Sequence, residues 1–302
     1  MRTTTIFLTS LLAALLACGE PRSVPRPAAP RIEQIASPAE GIFANAYLIE
    51  TTDGVVVVDA MLRVSDADAL RARIAALGKP LLGVLLTHGH PDHYNGAAIV
   101  TAGRDVPVIA TREVDRVIRA DDAAKEKQWK PMFGDQWPAP RAFPSRLVGD
   151  GEVVRLGGLS FRAHVVGPAE SHSDSYWTID GLPVAFVGDL VFSGTHSYIT
   201  DGHTTAWLAA LERLAMAFPA EVTLYPGHGK PGGAELIGAE RRYLERLRVV
   251  VRRLSPNGAP LGDAAKAELV AELARLEPGL TLDFLVGLGA DAVARELAAD
   301  PR

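Results

Sequence analysis

A cluster of metal-ligating side chains directly follows an apolar run in this sequence. The run is Leu81-Leu82-Gly83-Val84-Leu85-Leu86, and the cluster is Thr87-His88-Gly89-His90-Pro91-Asp92-His93. A short apolar run is typical of a buried strand, and ligands bind at the carboxyl ends of strands in open α/β sheets. Imidazole nitrogens and carboxylate oxygens suit zinc. In an extended loop His88 and His90 can face one point while Asp92 and His93 face another, so one loop could supply two metals.

The alternative to a metal-binding loop is that this cluster arose by chance. A single histidine in a loop is usually a solvated side chain, and even a His-x-His pair can be accidental. Four ligand-type residues within six positions, in a chain with 8 His, are much harder to explain in that way. We therefore interpret the loop as a metal-binding loop.

The pattern H-x-H-x-D-H after a buried strand resembles the signature of the metallo-β-lactamase superfamily. Further landmarks of that family follow in order, and they are His172 in Gly167-Pro168-Ala169-Glu170-Ser171-His172, Asp189 in Phe186-Val187-Gly188-Asp189, and His228 in Tyr225-Pro226-Gly227-His228. Upstream, Asp59 closes the run Val55-Val56-Val57-Val58 and resembles the family's first motif. The resemblance covers about residues 32–230. It implies an α/β fold, the αββα sandwich of this superfamily, with a helical extension at the carboxyl end.

The resemblance also implies two sets of metal ligands. His88, His90 and His172 would bind the first metal, Asp92, His93 and His228 would bind the second, and Asp189 would bridge the two. Two zinc ions are expected, although iron or manganese would also be compatible with this sequence. Asp59 could orient the metal loop through hydrogen bonds, or it could be a simple turn residue.

Such a pair of metals implies hydrolysis, because a shared hydroxide can attack a carbonyl carbon. We expect an exported dinuclear zinc hydrolase that cleaves an ester, lactone or thioester, with Asp92, Asp189 and Tyr198 as catalytic residues. Predicted export disfavours glutathione thioesters, which are largely intracellular. A metallo-β-lactamase is the main alternative, although the family's Cys-containing subclass needs a thiol at position 189. A mononuclear iron dioxygenase and a non-catalytic metal binder are further alternatives.

Several other polar residues fall near the predicted site. Tyr94 and Tyr198 are candidate hydrogen-bond donors to the substrate or to a developing oxyanion. His196 and His203 follow Asp189 in a loop that must pass near the metals, whereas His164 lies inside a predicted strand. A structural role is at least as plausible for both tyrosines and for His196 and His203.

The amino-terminal segment has the features of a targeting signal. Arg2 precedes an apolar stretch from Ile6 to Ala17, which has the length of a signal-peptide core. The stretch ends in Leu15-Leu16-Ala17-Cys18, which resembles the lipobox of bacterial lipoproteins. We expect residues 1–18 to direct export and Cys18 to carry a lipid that anchors the protein to a membrane; an incidental cysteine in a plain secretory signal is the alternative. Residues 19–31 are rich in proline and predict an extended tether.

The net charge limits the classes of molecule that this protein is expected to bind. The net charge of −5 argues against a nucleic-acid-binding protein, which usually has a basic face. We expect a small-molecule substrate, and the sequence does not specify an oligomeric state. After the tether we expect one metallo-β-lactamase-like domain over residues 32–232 and a packed helical extension over residues 233–302.

Hydrophobic periodicity predicts alternating strands and helices along the chain. The predicted strands cover residues 41–49, 54–58, 81–86, 108–110, 152–156, 159–166, 176–179, 183–187 and 221–225. The predicted helices cover residues 65–77, a segment from about 95, and residues 111–127, 204–218, 234–254 and 263–276. Residues 128–147 are rich in proline and aromatic side chains and predict an irregular loop. That loop could form a wall of the substrate pocket or a packing cluster on the surface.

Overall fold

The computed structural model describes residues 29–299 of the 302-residue chain. The predicted signal segment and the lipobox cysteine lie outside this range. Two β-sheets pack face to face, and helices cover both outer faces, so the predicted αββα sandwich is confirmed. In the described part of the chain no helix is both long enough and apolar enough to cross a membrane.

The first sheet contains six strands in the order in which they occur along the chain. They are β1 (Arg31–Ala36), β2 (Asn45–Glu50), β3 (Val55–Val58), β4 (Leu81–Leu85), β5 (Val108–Thr111) and β6 (Arg146–Val148). The first three are antiparallel, and β3 to β6 are parallel. Parallel strands need crossovers, which α1 (Val64–Ala76), α2 (Pro91–Tyr94), α3 (Ala97–Thr101) and α4 (Arg112–Phe133) provide.

The second sheet has five strands and carries the helices of the second half. Its order is β11-β10-β9-β8-β7, with β7 (Val153–Leu156), β8 (Leu159–Gly167), β9 (Asp174–Ile179), β10 (Val184–Gly188) and β11 (Thr223–Pro226). The helices are α5 (Thr204–Ala217), α6 (Glu235–Leu254), α7 (Asp263–Leu276) and α8 (Phe284–Ala299). The last three share one apolar core with this sheet, so the carboxyl-terminal region packs on the sandwich.

The core between the sheets fixes the end of β4. Side chains from both sheets meet there, including Val58, Leu85, Phe161 and Trp177. The Trp177 indole N–H donates to the Leu86 carbonyl at 2.9 Å, directly before the metal loop. Burying such apolar side chains stabilises the sandwich by about 1.5–3 kcal/mol each. The start of the metal loop is therefore held by both sheets.

The structure corrects the prediction for residues 128–147. Helix α4 continues to Phe133, and only the residues after the short helical turn Gly134–Gln136 are irregular before β6. Pro131 lies in the last turn of α4, so the one hydrogen bond that it cannot donate, to the carbonyl of Lys127, is lost only at the end of the helix. Trp129 is therefore a partly buried residue of a helix, and Trp137 is buried beside Phe133 and Arg141.

Helix α8 is absent from the sequence-based prediction. Gly287 and Gly289 lie within it, and glycine lowers helix propensity by about 1 kcal/mol relative to alanine. Packing compensates for this cost, because a Cβ on Gly289 would lie 2.3 Å from the Ile199 side chain. The glycine lets α8 lie against the loop that carries Tyr198, which brings the start of α8 to the edge of the candidate site.

Candidate metal centre

Four chain segments bring buried ligand-type side chains to one edge of the sandwich. His88, His90, Asp92 and His93 follow β4, Glu170 lies between β8 and β9, Asp189 follows β10, and His228 follows β11. These side chains are almost fully buried. They form two groups, each with ligand atoms within 4.8 Å of one another.

The first group consists of His88, His90 and Glu170. A Glu170 carboxylate oxygen, Oε2, lies 3.0 Å from His90 Nδ1 and 3.5 Å from His88 Nε2. Two imidazoles and one carboxylate form a donor set found in both zinc and non-haem iron proteins. This group can therefore hold one metal ion.

The second group consists of Asp92, His93, Asp189 and His228. Asp92 Oδ2 lies 3.2 Å from His93 Nε2 and 3.1 Å from His228 Nε2. Asp189 Oδ1 lies 3.4 Å from His93 Nε2, and its Oδ2 lies 3.3 Å from His228 Nε2. The same Oδ2 lies 4.0 Å from His88 Nε2 in the first group. Asp189 is thus the carboxylate that faces both groups.

Glu170 lies in the first group with His88 and His90, where the family resemblance implies His172, and the role of either residue in binding metal stays a prediction. The Asp174 carboxylate accepts a hydrogen bond from the Ser171 backbone N–H at 2.9 Å, and this turn directs Ala169, Glu170 and Ser171 inward. The His172 side chain is 49% exposed, and its Nδ1 lies 2.7 Å from His203 Nε2. His172 therefore lies outside both groups.

Unpartnered buried atoms show that the two groups fit metal ions. His88 Nε2, His93 Nε2, both carboxylate oxygens of Glu170, and Asp189 Oδ1 are buried with no hydrogen-bond partner within residues 29–299. The contact between Glu170 and His90 is short, yet it lacks the geometry of a hydrogen bond. Buried polar groups are normally hydrogen-bonded, and these orphaned atoms are of the types that coordinate divalent metals. The structure thus shows a metal-binding site of the dinuclear type.

The electrostatics of the groups also favour bound cations. Burial lowers the pKa of His93, but the carboxylates of Asp92, Asp189 and Asp59 outweigh this effect and raise the pKa well above its ordinary value. Burial raises the pKa of Glu170 well above its usual range. Burial and the neighbouring His93 hold the pKa of His88 well below its ordinary value. Negative charge is thus concentrated at the positions where bound metal ions would supply positive charge.

Asp59 orients two of the histidines. Its carboxylate accepts hydrogen bonds from the Thr87 backbone N–H at 2.9 Å and from the Thr87 hydroxyl at 2.8 Å, and its Oδ2 lies 2.9 Å from His93 Nδ1. The Thr87 hydroxyl in turn lies 3.1 Å from His88 Nδ1. With Nδ1 as the protonated donor, His88 and His93 each direct Nε2 into the site. Asp59 thus has the orienting role considered from the sequence, because outer hydrogen bonds of this kind fix the ring and the tautomer of a ligand histidine.

Backbone geometry orients His228. Its Nδ1 lies 3.0 Å from the Ile42 carbonyl oxygen, which fits an N–H donated by Nδ1 and leaves Nε2 facing Asp92 and Asp189. Ile42 and Phe43 have φ angles of 56° and 57°, a left-handed conformation that costs about 1–3 kcal/mol for each such residue. The neighbouring Gly227 lets Asp189 approach the backbone closely, since a Cβ there would lie 1.9 Å from Asp189 Oδ1.

His90 differs from the other histidines in the nitrogen that faces the ligands. Its Nδ1 faces Glu170, and its Nε2 lies 3.1 Å from Asp201 Oδ2. The other Asp201 oxygen lies 3.6 Å from the Lys125 ammonium. Asp201 therefore links the first group to a largely buried lysine, and the sequence analysis singles out neither residue.

The remaining candidates occupy different environments. The buried Tyr94 hydroxyl donates to Asp122 at 2.8 Å, which fits the structural one of the two roles considered for it from the sequence. The Tyr198 ring lies 4.9 Å from the His90 ring. His196 is buried with Nδ1 3.1 Å from the Tyr243 hydroxyl, and His164 stacks on Tyr176.

A cavity that is partly open to solvent lies over both groups, and the space inside it, together with the solvent at its opening, is about 580 Å³. Its polar floor includes His90, Asp92, Glu170, Asp189 and His228. Its walls are largely apolar and come from four parts of the chain, with Leu62, Trp129, Phe133, Phe192, Phe284 and Leu285 among them. A ligand pocket of this kind combines an apolar wall with a few convergent polar groups. A small molecule can therefore reach both groups from one side.

Comparison with known proteins agrees with this architecture. Residues 39–228 match the family model of the metallo-beta-lactamase superfamily. A metallo-beta-lactamase family protein from Thermus thermophilus has a TM-score of 0.66 at 20% identity, covering 89% of this chain and 94% of that one. A beta-lactamase domain protein from Burkholderia ambifaria has a TM-score of 0.64 at 21% identity, covering 89% and 85%. At these identities the structural likeness establishes the fold alone.

A curated relative with a named activity aligns over part of the chain. The hydroxyacylglutathione hydrolase of Albidiferax ferrireducens is 29% identical over 152 residues, which is 50% of each protein. The chain spans about half the length of the curated relatives that it matches, from 48% to 60% in three of them. The family match covers well over half of the chain, and the fold and the buried ligand groups agree with it. The chain therefore belongs to the metallo-beta-lactamase superfamily.

Proposed function

We propose that this protein is a metal-dependent hydrolase that cleaves ester, lactone or thioester bonds. The observation that carries the proposal is the pair of buried ligand groups, with Asp189 of the second group 4.0 Å from His88 of the first, on the floor of an apolar cavity. Bound metal ions would act as Lewis acids, which polarise a carbonyl oxygen and lower the pKa of water. The name of the hydroxyacylglutathione hydrolase relative supports a thioester among the substrates, although predicted export disfavours glutathione thioesters.

Zinc is the metal that we propose for both groups. Four imidazoles and three carboxylates are available, namely His88, His90, His93, His228, Asp92, Asp189 and Glu170. Nitrogen and oxygen donors of this kind suit zinc, while carboxylates also suit manganese and iron. Elemental analysis of purified protein distinguishes these metals.

The chain's own residues hold the reacting groups in place. Asp59, Ile42 and Asp201 keep the rings of His93, His228 and His90 in fixed orientations. Phe192 stacks on His228 with ring centroids 5.3 Å apart, and its backbone N–H donates to the buried Glu240 carboxylate at 3.0 Å. Burial raises the pKa of Glu240 to about 8. Apolar walls exclude water and so strengthen the electrostatic interactions within the cavity.

A substrate panel tests this proposal. We expect zinc-loaded protein to hydrolyse acyl esters, lactones or thioesters faster than β-lactams, because Asp189 occupies the position at which the Cys-containing lactamases need a thiol. Chelation should abolish the activity, and added zinc should restore it. Faster turnover of β-lactams would favour the lactamase alternative. Chelator-insensitive hydrolysis, or turnover of no substrate in the panel, would contradict the proposal.

The second ligand group weighs against the two remaining alternatives. A mononuclear iron dioxygenase needs only one group of ligands, such as His88, His90 and Glu170. A non-catalytic metal binder needs neither a shared carboxylate nor a cavity open to small molecules. The second group with Asp92, His93, Asp189 and His228, together with the cavity, therefore supports hydrolysis over both.

We propose in addition that the protein is exported and carries a lipid on Cys18. The support is the sequence Leu15-Leu16-Ala17-Cys18 after an apolar segment. Membrane fractionation with mass spectrometry of the mature amino terminus measures this directly. We expect wild-type protein to partition with the membrane and Cys18→Ala to be released or mislocalised. An unmodified Cys18 in a fully membrane-free exported protein would contradict the proposal.

A further inference from the structure

A largely buried lysine lies in the cavity wall beside the first ligand group. Lys125 is the one lysine or arginine that lines this cavity within residues 29–299. Its side chain is only 12% exposed. Its ammonium lies 3.5 Å from the Tyr198 hydroxyl and 3.6 Å from Asp201 Oδ1. Both distances are at or beyond the long limit for hydrogen bonds, so the three N–H groups keep capacity to donate.

Tyr198 provides a second donor next to this ammonium. Its hydroxyl oxygen faces the Lys125 ammonium at 3.5 Å, so the phenolic proton is directed away from that cation and can be donated to another acceptor. The Lys125 ammonium also lies 5.4 Å from the centre of the Tyr198 ring, so cation–π attraction holds the pair together. Two adjacent donors, one of them charged, match the two oxygens of a carboxylate.

The cavity wall continues as an apolar surface from this pair of donors toward the opening. Lys125, Trp129, Met132 and Phe133 all line the cavity, and their spacing places them on one face of α4. Lys125 is adjacent to Asp201, which contacts His90, whereas Met132 is 64% exposed at the outer end. The charged end of this face of α4 thus lies at the ligand groups, and its apolar end lies at the rim of the cavity.

We propose that Lys125 and Tyr198 form an anion subsite that binds a substrate carboxylate close to the scissile carbonyl, with the apolar part of the substrate along Trp129 and Phe133. The substrate class is therefore an acyl ester, lactone or thioester with one carboxylate and an apolar body. A phosphate dianion fits less well, because the wall offers a single permanent cation. This inference rests on the proposed hydrolytic function for its substrate, but the binding subsite can be tested without turnover.

The test compares two probes of the same shape, 3-phenylpropanoate and 3-phenylpropanamide, on the zinc-loaded full chain by calorimetry. Wild type should prefer the carboxylate by about tenfold or more, since a hydrogen bond to a charged group is worth that much. Lys125→Met should lose most of this preference while retaining both metals and its circular-dichroism spectrum. Lys127→Met, an exposed lysine two residues along α4, is the matched control and should keep the preference.

Tyr198→Phe is a second variant, which removes one hydroxyl and should also weaken the preference for the carboxylate over the amide. It provides an independent test should Lys125→Met fold poorly. An unchanged preference in both variants would overturn the proposal, because the carboxylate would then bind the metals. A wild type without preference would overturn it as well. Loss of preference in a protein that hydrolyses no acyl substrate would retain the subsite and reject only the hydrolytic function.

Discussion

Glu170→Gln is expected to reduce the metal content of the purified chain from two ions to about one. The Glu170 carboxylate is buried with both oxygens unpartnered and lies 3.0 Å from His90 Nδ1. The amide keeps the shape but removes the charge that would bind the first metal. Substitution of a residue that hydrogen-bonds to a metal ligand typically costs about 10–100-fold in metal affinity or activity. Loss of a direct ligand should cost at least as much. Inductively coupled plasma mass spectrometry measures the content, and the hydrolytic rate should fall with it.

His172→Ala is the matched control for this experiment. His172 lies two residues away on the same turn, is half exposed, and stays outside both groups. We expect this variant to keep two metals and close to the wild-type rate. The opposite pattern, with metal lost from His172→Ala and retained in Glu170→Gln, would restore His172 as the ligand.

Asp189→Asn is expected to weaken binding of the second metal and to reduce hydrolysis. The Asp189 carboxylate lies 3.4 Å from His93 Nε2, 3.3 Å from His228 Nε2 and 4.0 Å from His88 Nε2. A carboxylate shared between two cations offsets their mutual repulsion, and the neutral amide cannot do so. We expect the second metal to bind at least about 10–100-fold more weakly and hydrolysis to fall with the lost metal.

Asp53→Asn controls for the loss of a carboxylate elsewhere, since Asp53 is exposed in the turn between β2 and β3. It should retain both metals and full activity. Zinc titrations followed by calorimetry compare the two variants. Two tightly bound ions and an unchanged rate in Asp189→Asn would reject the shared-carboxylate mechanism.

Much of the fold follows from local sequence patterns. The apolar run before His88 predicts β4, and the strand that ends at Asp59 lies beside it in parallel. The sequence does not reveal α8, because two glycines weaken its helical pattern while packing against Ile199 stabilises it. It also misplaces the end of α4, because Pro131 lies in a last turn that tolerates it. Tertiary contacts decide both cases.

The site could be predicted wherever the ligand immediately follows a strand. Asp189 follows β10 and His228 follows β11, so strand direction alone brings them to the edge at which His88 lies. Six of the seven ligands inferred from the family resemblance lie in the two groups, and their role in binding metal remains a prediction. Glu170 lies in a turn six residues long between β8 and β9, where strand direction does not specify which side chain points inward.

Side chains from distant segments account for the other differences. Tyr94 is next to the metal loop in sequence, yet the short helix α2 turns its hydroxyl toward Asp122 on α4. Lys125 and Asp201 reach the site only because α4 and the loop before α5 meet above the first group. No sequence pattern distinguishes a helical lysine that faces a cavity from a helical lysine that faces solvent. The hydrogen bond that directs Glu170 inward, between Ser171 and Asp174, likewise becomes visible only in the folded turn.

We propose that hydrolysis requires two adjacent metal ions, one in each ligand group, with Asp189 facing both. Stepwise addition of zinc to chelator-treated wild-type protein, with the hydrolytic rate of a responsive acyl substrate followed at each step, tests this claim most directly. We predict that the rate continues to rise until two equivalents of zinc per chain are bound and then becomes constant. A rate that is already constant at one equivalent, or that does not depend on zinc, would contradict the dinuclear account.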